Sequence, residues 1–220
     1  MKSNYHKATL HLRKSDPVLA HIIKSAPPFN LRLQRGYFKF LVKAIMYQQL
    51  AGPAARTIFN RFKALYPRKS ARGGSARGGT FPTALDIAKT SDKKLRSAGL
   101  SRQKISYLRD LSQKSANGTL QLKGFTRMTD AEVLQNVTSV KGIGNWTGQM
   151  LLIFSLGRLD ILPTGDWGFV KGVRDAYGFK THPKPRTIEK LAEKWKPYRS
   201  VATWYLWHFK DNEVKNKRKK

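Results

Sequence analysis

Apolar residues recur along the chain at the spacing of one face of a helix. Phe38, Leu41, Val42 and Ile45, for example, fall on one side of a helix over residues 38–46. Further helices are predicted over residues 17–23, 54–65, 83–89, 91–97, 102–114, 129–137, 144–156, 166–177 and 187–209, with a break near Pro197. No stretch alternates between apolar and polar positions as a half-buried strand does. We therefore predict an all-α fold.

The residues at the ends of these segments support the predicted helices. Asp16 can cap a helix that has Pro17 at its first position, and Gly99 and Gly118 follow the ends of two others. Residues 1–15 are polar and basic, and we expect them to be loose.

Composition limits the class of protein. The 220 residues are 40% apolar and 11% aromatic, enough for one core or for two small lobes. No apolar run reaches the length of about 18 residues that a membrane span needs, and the first residues lack the apolar core of a secretory signal. The chain has no cysteine, which excludes disulfides, thiolate zinc sites and cysteine-ligated iron–sulfur clusters. This fits a reducing compartment.

Net charge points to a polyanionic partner. The chain carries 43 basic and 13 acidic side chains, a formal charge of +30. Such a charge favours binding to nucleic acid, whose backbone releases counterions when it is neutralised. A ribosome-type protein, an anionic membrane surface or a layer of solvated lysines are the alternatives. Charge alone distinguishes neither DNA from RNA nor an enzyme from a binding protein.

Two segments differ in composition from the rest. Residues 68–80 contain the unit Ser-Ala-Arg-Gly-Gly twice, at 70–74 and 75–79. We interpret them as a flexible, basic, Gly-rich insertion, either a tolerated loop expansion or an arm that binds phosphate. Residues 215–220 form a basic tail that we predict to be disordered.

A glycine-rich turn joins two of the predicted helices. Lys141, Gly142, Ile143 and Gly144 lie between them, and Ile143 can anchor the turn in the core. Main-chain amides in such a turn, at the start of a helix, form an anion site that suits a DNA phosphate. The alternative is an ordinary Gly-rich connection.

Several motifs together resemble one known family. Residues 140–147 (Val-Lys-Gly-Ile-Gly-Asn-Trp-Thr), an apolar helix and residues 157–166 (Gly-Arg-Leu-Asp-Ile-Leu-Pro-Thr-Gly-Asp) resemble the helix-hairpin-helix–Gly/Pro–Asp superfamily of DNA glycosylases. Within that superfamily, the chain resembles the alkylpurine (3-methyladenine) branch at residues 48–50, 54–55, 98–104, 195–200 and 207. The resemblance implies two helical lobes with an active-site cleft between them. The outer lobe would combine residues 1–44 and 165–214, and residues 45–164 would form the lobe with the hairpin.

The resemblance implies a catalytic role for Asp166. Base removal leaves an oxocarbenium-like sugar, which a carboxylate beside C1′ stabilises while it orients the attacking water. Taken alone, Asp166 is better explained as only the cap of a helix, and its place in the motif is what favours catalysis. Asp160 is predicted to be a structural turn residue, and Asp175 to be solvated.

The mode of reaction is implied by position 146. Relatives with lyase activity carry a lysine two residues after the second hairpin glycine, and its amine forms a Schiff base. Trp146 stands there in this chain. The resemblance therefore implies a monofunctional enzyme that leaves an abasic site uncut, with Lys141 contacting phosphate.

Aromatic residues match positions that line the alkylpurine pocket of the family. They are Trp146, Trp167 and Trp207, and their electron-rich faces favour a cationic base. Core packing is the alternative for each of them. Met150 stands where a relative has an aromatic ring, which leaves the preferred lesion open. Trp195 and Trp204 are predicted to be core residues.

Other residues match positions that face DNA. Gln48, Gln49 and Leu50 resemble the family's wedge, with Gln49 as the inserted side chain. An alternative for Gln49 is a buried glutamine that bonds a helix end. Ser101, Arg102 and Lys104 are expected to contact phosphate, or else to be simply solvated.

No catalytic cofactor is expected. In this family, hairpin carbonyls can hold a structural Na⁺ or K⁺, here those of Thr138, Val140 and Ile143. None of the five histidines is paired at metal-ligand spacing. The hairpin, the charge and the resemblance together predict a monomeric DNA glycosylase that extrudes and hydrolyses alkylated purines such as 3-methyladenine and 7-methylguanine from damaged duplex DNA. It would be nuclear in a eukaryote and otherwise cytoplasmic. A non-catalytic binder of abasic or distorted DNA and a ribosome-associated RNA binder are the alternatives.

Overall fold

The computed structural model describes residues 2–69, 75–76 and 81–217, and its elements are mainly helices. They are α1 (Lys2–Ser15), α2 (Pro17–Ser25), α3 (Tyr37–Tyr47), α4 (Gly52–Ala64), α5 (Ala84–Lys89), α6 (Asp92–Ser97), α7 (Arg102–Ala116), α8 (Asp130–Thr138), α9 (Asn145–Phe154), α10 (Trp167–Ala176), α11 (Pro185–Ala192) and α12 (Arg199–Lys217), with 3-10 turns at Leu122–Gly124 and Glu193–Trp195. The predicted all-α class is confirmed. None of the described helices has the length and apolar content needed to cross a bilayer.

Among the described residues, one short strand pair interrupts the helices. Strands β1 (Arg68–Lys69) and β2 (Ser75–Ala76) are antiparallel, with Arg68 opposite Ala76. The rest of the predicted Gly-rich insertion, residues 70–74 and 77–80, lies outside the described residues. So do residues 218–220 of the predicted tail. The prediction of disorder from residue 215 is wrong up to Lys217, because α12 contains no proline or glycine that would end it earlier.

The chain divides into two units. The terminal unit combines Met1–Leu33 with Leu152–Lys220, and the middle unit is Gln34–Leu151. The sequence places the boundaries later, at 44/45 and 164/165. The first boundary lies before α3 because α3 packs on α4 and α7 of the middle unit. The second boundary lies before residues 158–161 because these residues are bound to the start of α12, where the Ser200 amide donates to the Leu159 carbonyl at 2.9 Å.

In the middle unit, α7 packs against several other helices. It packs on α3, α5 and α6, and it buries Ile105, Leu108 and Leu111. Arg109 of α7 donates to the carbonyls of Ile87 and Ala88, both at 2.7 Å, and so caps the C-terminal end of α5. Side chains on this helix can therefore reach several neighbouring segments.

In the terminal unit, α10 lies close against α12. A Cβ at Gly172 would stand 2.6 Å from the Leu206 carbonyl oxygen, so glycine permits the contact. The prediction that residues 1–15 are loose is wrong, because they form α1. Its fully buried apolar residues are Ala8 and Leu12, and Tyr5 on the same side packs edge-on against Phe29 at 4.8 Å. This tertiary packing stabilises a helix that its own sequence favours weakly.

A buried aspartate joins several elements of the terminal unit. Asp16 is fully buried, and Oδ1 accepts from the Val18 and Leu19 amides at the start of α2. Oδ2 accepts from the Tyr177 hydroxyl at 2.5 Å and from Trp195 Nε1 at 2.7 Å. Burial acts to raise the pKa of Asp16, but the hydrogen bonds outweigh it and hold that pKa below its ordinary value.

Candidate active site and nucleic-acid interface

Asp166 stands immediately before α10 and acts as its N-cap. Its Oδ1 accepts a hydrogen bond from the Phe169 amide at 2.6 Å, and its own amide donates to the Pro163 carbonyl at 2.9 Å. The indole Nε1 of Trp207, on α12, donates to the same Oδ1 at 2.8 Å. The cap and the predicted functional carboxylate are therefore compatible. Two donors fix the orientation of a half-buried carboxylate.

The immediate surroundings of this carboxylate include aromatic rings and the first turn of α10. The Trp207 ring stacks on Phe154 with centroids 5.7 Å apart and an interplanar angle of 15°. A Cβ at Gly168 would lie 3.3 Å from Asp166 Oδ1 and 3.5 Å from Trp207 Cδ1, so glycine keeps the first turn of α10 clear. Sequence reasoning missed Phe154, whose only signal was its place at the end of the apolar helix α9.

The other carboxylates considered are engaged in ion pairs. Arg199 holds Asp160 with Nε 2.7 Å from Oδ1 and Nη2 2.8 Å from Oδ2, which supports the predicted structural role. Asp175 was predicted to be solvated. It instead pairs with Lys171 at 2.7 Å and Arg174 at 2.5 Å.

The predicted pocket tryptophans differ in exposure. Trp167 is 66% exposed and its ring lies 4.3 Å, centroid to centroid, from His182, a neighbour that the sequence did not predict. Trp146, in the first turn of α9, is 48% exposed. Met150, one turn later, is buried at 7% exposure. Its place in a base pocket stays a prediction.

The remaining tryptophans behave as expected. Trp195 is fully buried and Trp204 is 9% exposed, so the prediction that both are core residues is confirmed.

The hairpin between α8 and α9 needs its two glycines for different reasons. Gly142 has a φ of 78°, and a Cβ there would lie 2.2 Å from a carbon of the Tyr107 ring. Gly144 has no atom within 4 Å of the corresponding position. Ile143 between them is buried, as predicted for the anchor of the turn. Open space at Gly144 leaves room for a ligand to approach the backbone.

The main-chain amides of the hairpin are partly occupied. The Ile143 amide donates to the Val140 carbonyl at 3.1 Å, and the Lys141 amide donates to Asp110 Oδ2 at 2.8 Å. Within the described part of the chain, the amides of Gly142 and Gly144 make no hydrogen bond. An anion at this turn would find those two donors available.

The segment predicted to be the wedge follows α3, and we call Gln48, Gln49 and Leu50 the wedge turn. The Gln48 amide Nε2 donates to the Gly142 carbonyl at 2.7 Å, which ties the turn to the hairpin. Gln49 is exposed and has a φ of 55°, the left-handed region that is unfavourable for a side chain of this kind. Leu50 is 38% exposed.

The predicted phosphate contacts at the start of α7 are not alike. Ser101 caps the helix and accepts from the Lys104 amide at 3.2 Å, and Arg102 is exposed. The Lys104 ammonium is only partly exposed. It donates to the Met46 carbonyl at 2.8 Å, and desolvation lowers the pKa of Lys104.

The carbonyls predicted to hold a cation lie at the end of α8 and in the hairpin. They belong to Thr138, Val140 and Ile143, and the Val140 oxygen also accepts the Ile143 amide. Carbonyl oxygens are ligands that hard cations accept. Within the described ranges, no group of three His, Asp or Glu side chains could hold a metal ion.

A family model confirms the class that these features define. The HhH-GPD superfamily of base excision DNA repair proteins matches residues 42–197. The chain belongs to this superfamily.

Individual relatives are similar over nearly their whole length. A DNA-3-methyladenine glycosylase 1 of Schizosaccharomyces pombe is 32% identical over 205 residues, covering 91% of this chain and 86% of the relative. The alkylbase DNA glycosidase-like protein mag2 of the same organism is 28% identical, covering 93% of each chain. A solved structure of the S. pombe 3-methyladenine DNA glycosylase Mag1 in complex with abasic DNA matches with a TM-score of 0.75 at 32% identity, covering 91% of this chain and 95% of that one.

Proposed function

We propose that this protein is a DNA glycosylase that hydrolyses the N-glycosidic bond of alkylated purines in duplex DNA. The observation that carries the proposal is Asp166, a carboxylate fixed by Trp207 and by the N-terminus of α10 in a chain of the HhH-GPD superfamily. Relatives named as 3-methyladenine glycosylases support alkylated purines as the substrate class.

The reaction needs no covalent intermediate with the protein. When the C1′–N bond breaks, its electron pair leaves with the alkylated base, which departs neutral because it was cationic. The Asp166 carboxylate stabilises the oxocarbenium-like sugar and orients a water molecule, whose oxygen attacks C1′. The proton that this water loses passes to the carboxylate or to solvent. Trp146 has no amine for a Schiff base, so the product is an intact abasic strand.

Recognition of the base rests on exposed aromatic surface. Trp146 and Trp167 each present an exposed ring. A positively charged purine such as 3-methyladenine or 7-methylguanine stacks on such rings more favourably than a neutral base does. Met150 and Trp207 complete the proposed set of pocket residues.

We assign contact with the DNA backbone, and the filling of the gap that the extruded base leaves, to residues of the middle unit. The free amides of Gly142 and Gly144 bind a phosphate, and Lys141 adds charge. Gln49, exposed on the wedge turn, fills the space that the extruded base leaves. A monovalent cation on the hairpin carbonyls would have a structural role only. One copy of the chain acts on one lesion.

The test is release of 3-methyladenine and 7-methylguanine from alkylated duplex DNA. Asp166→Asn keeps an oxygen that can accept both hydrogen bonds, and asparagine is as good an N-cap as aspartate, so this variant should fold normally. We expect it to lose at least about a hundredfold in rate, as the removal of a main electrostatic group does. Asp92→Asn, at an exposed site on α6, is the matched control. Equal release by Asp166→Asn would refute the assignment.

A non-catalytic binder of abasic or distorted DNA is the second candidate. It is favoured by the similarity to mag2, a relative described as glycosidase-like, and by Met150 in place of an aromatic ring. It predicts tight binding to an abasic analogue with no release of any alkylated, deaminated or etheno base. Competition with structured RNA tests the remaining RNA-binding alternative, which predicts no preference for a lesion.

A further inference from the structure

One face of α7 carries a row of polar side chains. Lys104, Tyr107, Asp110 and Lys114 follow one another at intervals of three or four residues, so they lie on the same side of the helix. Each of them contacts main chain of the last turn of α3 or of the segment between α8 and α9. We call this row the α7 ridge.

At its first position, the ridge holds the end of α3. Lys104 Nζ donates to the Met46 carbonyl at 2.8 Å, two residues before the wedge turn begins. An ammonium suits this place because the last carbonyls of a helix have no partner within the helix and carry partial negative charge. The group is half-buried, and burial lowers the pKa of Lys104.

The next three residues of the α7 ridge contact the hairpin. The ring of Tyr107 occupies the space that a side chain at residue 142 would need. Asp110 Oδ2 accepts the Lys141 amide at 2.8 Å and the Lys114 ammonium at 2.9 Å. Lys114 Nζ also donates to the Ser139 carbonyl at 2.5 Å. The path of residues 139–142 is thus fixed from one side by α7.

A direct hydrogen bond also joins the wedge turn to the hairpin. Gln48 of the wedge turn donates from Nε2 to the Gly142 carbonyl at 2.7 Å. The wedge turn, the hairpin and the ridge therefore form a closed circuit of side-chain to main-chain contacts within the middle unit. The end of α3 cannot shift without breaking the bond to Lys104 or the bond to Gly142.

We propose that Lys104 and Gln48 are positioning residues, which hold the wedge turn in register with the phosphate-binding hairpin and do not themselves contact DNA. Phosphate bound at the hairpin then sets where Gln49 enters the duplex. Gln49 needs this support, because its left-handed backbone is unfavourable for a residue with a side chain and persists only where its surroundings hold it. The proposal rests on one step of the proposed function, the insertion of the wedge turn into damaged duplex, and not on the hydrolysis that follows it.

The first experiment separates positioning from phosphate contact. Affinity for a duplex with a tetrahydrofuran abasic analogue is measured across a range of salt concentrations. Loss of one phosphate contact lowers the slope of log affinity against log salt by about 1. We expect that reduction for Arg102→Met, the matched control, and an unchanged slope for Lys104→Met.

The second experiment measures insertion in complexes that are already formed. A 2-aminopurine next to the abasic analogue becomes fluorescent when the wedge unstacks it, and the amplitude is recorded at saturating protein. Lys104→Met and Gln48→Met should each lower the insertion equilibrium about tenfold, the effect of one lost hydrogen bond of a charged or well-oriented group. Lys104→Arg, which keeps a long cationic donor, should restore much of it. Arg102→Met should insert normally once bound.

The outcomes are decisive in both directions. A reduced salt slope with normal insertion in Lys104→Met makes Lys104 a phosphate contact and overturns the proposal, as does normal insertion in Gln48→Met. If Lys104→Met does not fold, Gln48→Met and Lys104→Arg still decide the result. Neither assay requires cleavage, so normal insertion without base release by the wild-type protein would refute the proposed function and leave this inference standing.

Discussion

Trp207 Nε1 and Asp166 Oδ1 lie 2.8 Å apart, and this hydrogen bond joins α12 to the N-terminus of α10. Sequence reasoning gave Trp207 the role of a pocket wall. The structure adds a second role, because the indole also determines how the carboxylate is oriented. The two roles can be separated, since stacking on Phe154 needs only the ring and orientation needs the N–H group.

Trp207→Phe is expected to keep most of the stacking and to lose the donor. A hydrogen bond to a charged group contributes about 1.5–3 kcal/mol. We therefore expect a single-turnover rate about 10- to 100-fold lower on alkylated duplex, with unchanged affinity for abasic DNA. Phe154→Leu, which removes the stack and leaves the donor, should lower the rate less. Equal effects of the two variants would contradict a role for the N–H group.

The two hairpin glycines are expected to respond differently to alanine. Gly142→Ala places a Cβ against Tyr107 in a left-handed backbone, and should lower the free energy of unfolding by about 2 kcal/mol or more. Gly144→Ala meets no atom of the chain, and should change stability by less than about 0.5 kcal/mol. It should nevertheless weaken DNA binding, because the methyl group occupies the approach of the phosphate. Urea unfolding and a binding titration on the same preparations check both expectations.

Acid should destabilise the protein through Asp16. Its folded-state pKa lies below the ordinary value, so its contribution is present above the unfolded-state pKa of about 3.9 and is lost as the pH falls through the folded-state pKa. Asp16→Asn should lower the free energy of unfolding at pH 7 by about 3 kcal/mol, because a buried acceptor of several donors loses its charge. The stability difference from wild type should shrink below pH 4. A difference independent of pH would exclude this origin.

Asp160 and Asp166 should give opposite phenotypes when changed to asparagine. Asp160→Asn weakens the bidentate pair with Arg199, and should lower stability by about 1 kcal/mol, since the pair is partly exposed. Its rate of base release should stay within about twofold of wild type. Asp166→Asn should show the reverse, with normal stability and little activity. Thermal melts beside the glycosylase assay distinguish the two, and a large rate loss in Asp160→Asn would show that the wrong carboxylate was assigned to catalysis.

Local patterns predicted most of the helices because each carries its own period and end signals. The segment predicted over 166–177 became α10 (Trp167–Ala176), and that over 102–114 became α7 (Arg102–Ala116). The start of the chain was predicted wrongly for the same reason. Ala8 and Leu12 are too few to mark an apolar face, and α1 depends on what it packs against.

Side-chain partners distant in sequence could not be predicted. Lys104 was expected at phosphate, but its acceptor, the Met46 carbonyl, lies 58 residues earlier. Likewise, nothing near His182 in the sequence indicates that its ring lies against Trp167. Asp166 was identified from a motif, whereas its bond to Trp207 spans 41 residues and is visible only in the fold.

The double use of Asp166 as helix cap and proposed catalytic group has a consequence for how the gene can evolve. An aspartate codon becomes an asparagine codon by one nucleotide change, and asparagine satisfies the cap as well as aspartate does. A single transition in this codon would therefore remove the proposed catalytic carboxylate without lowering the stability of the fold. Selection for folding alone would not act against the change. The descendants would carry a stable protein that still binds damaged DNA and that differs from the proposed enzyme by one mutation.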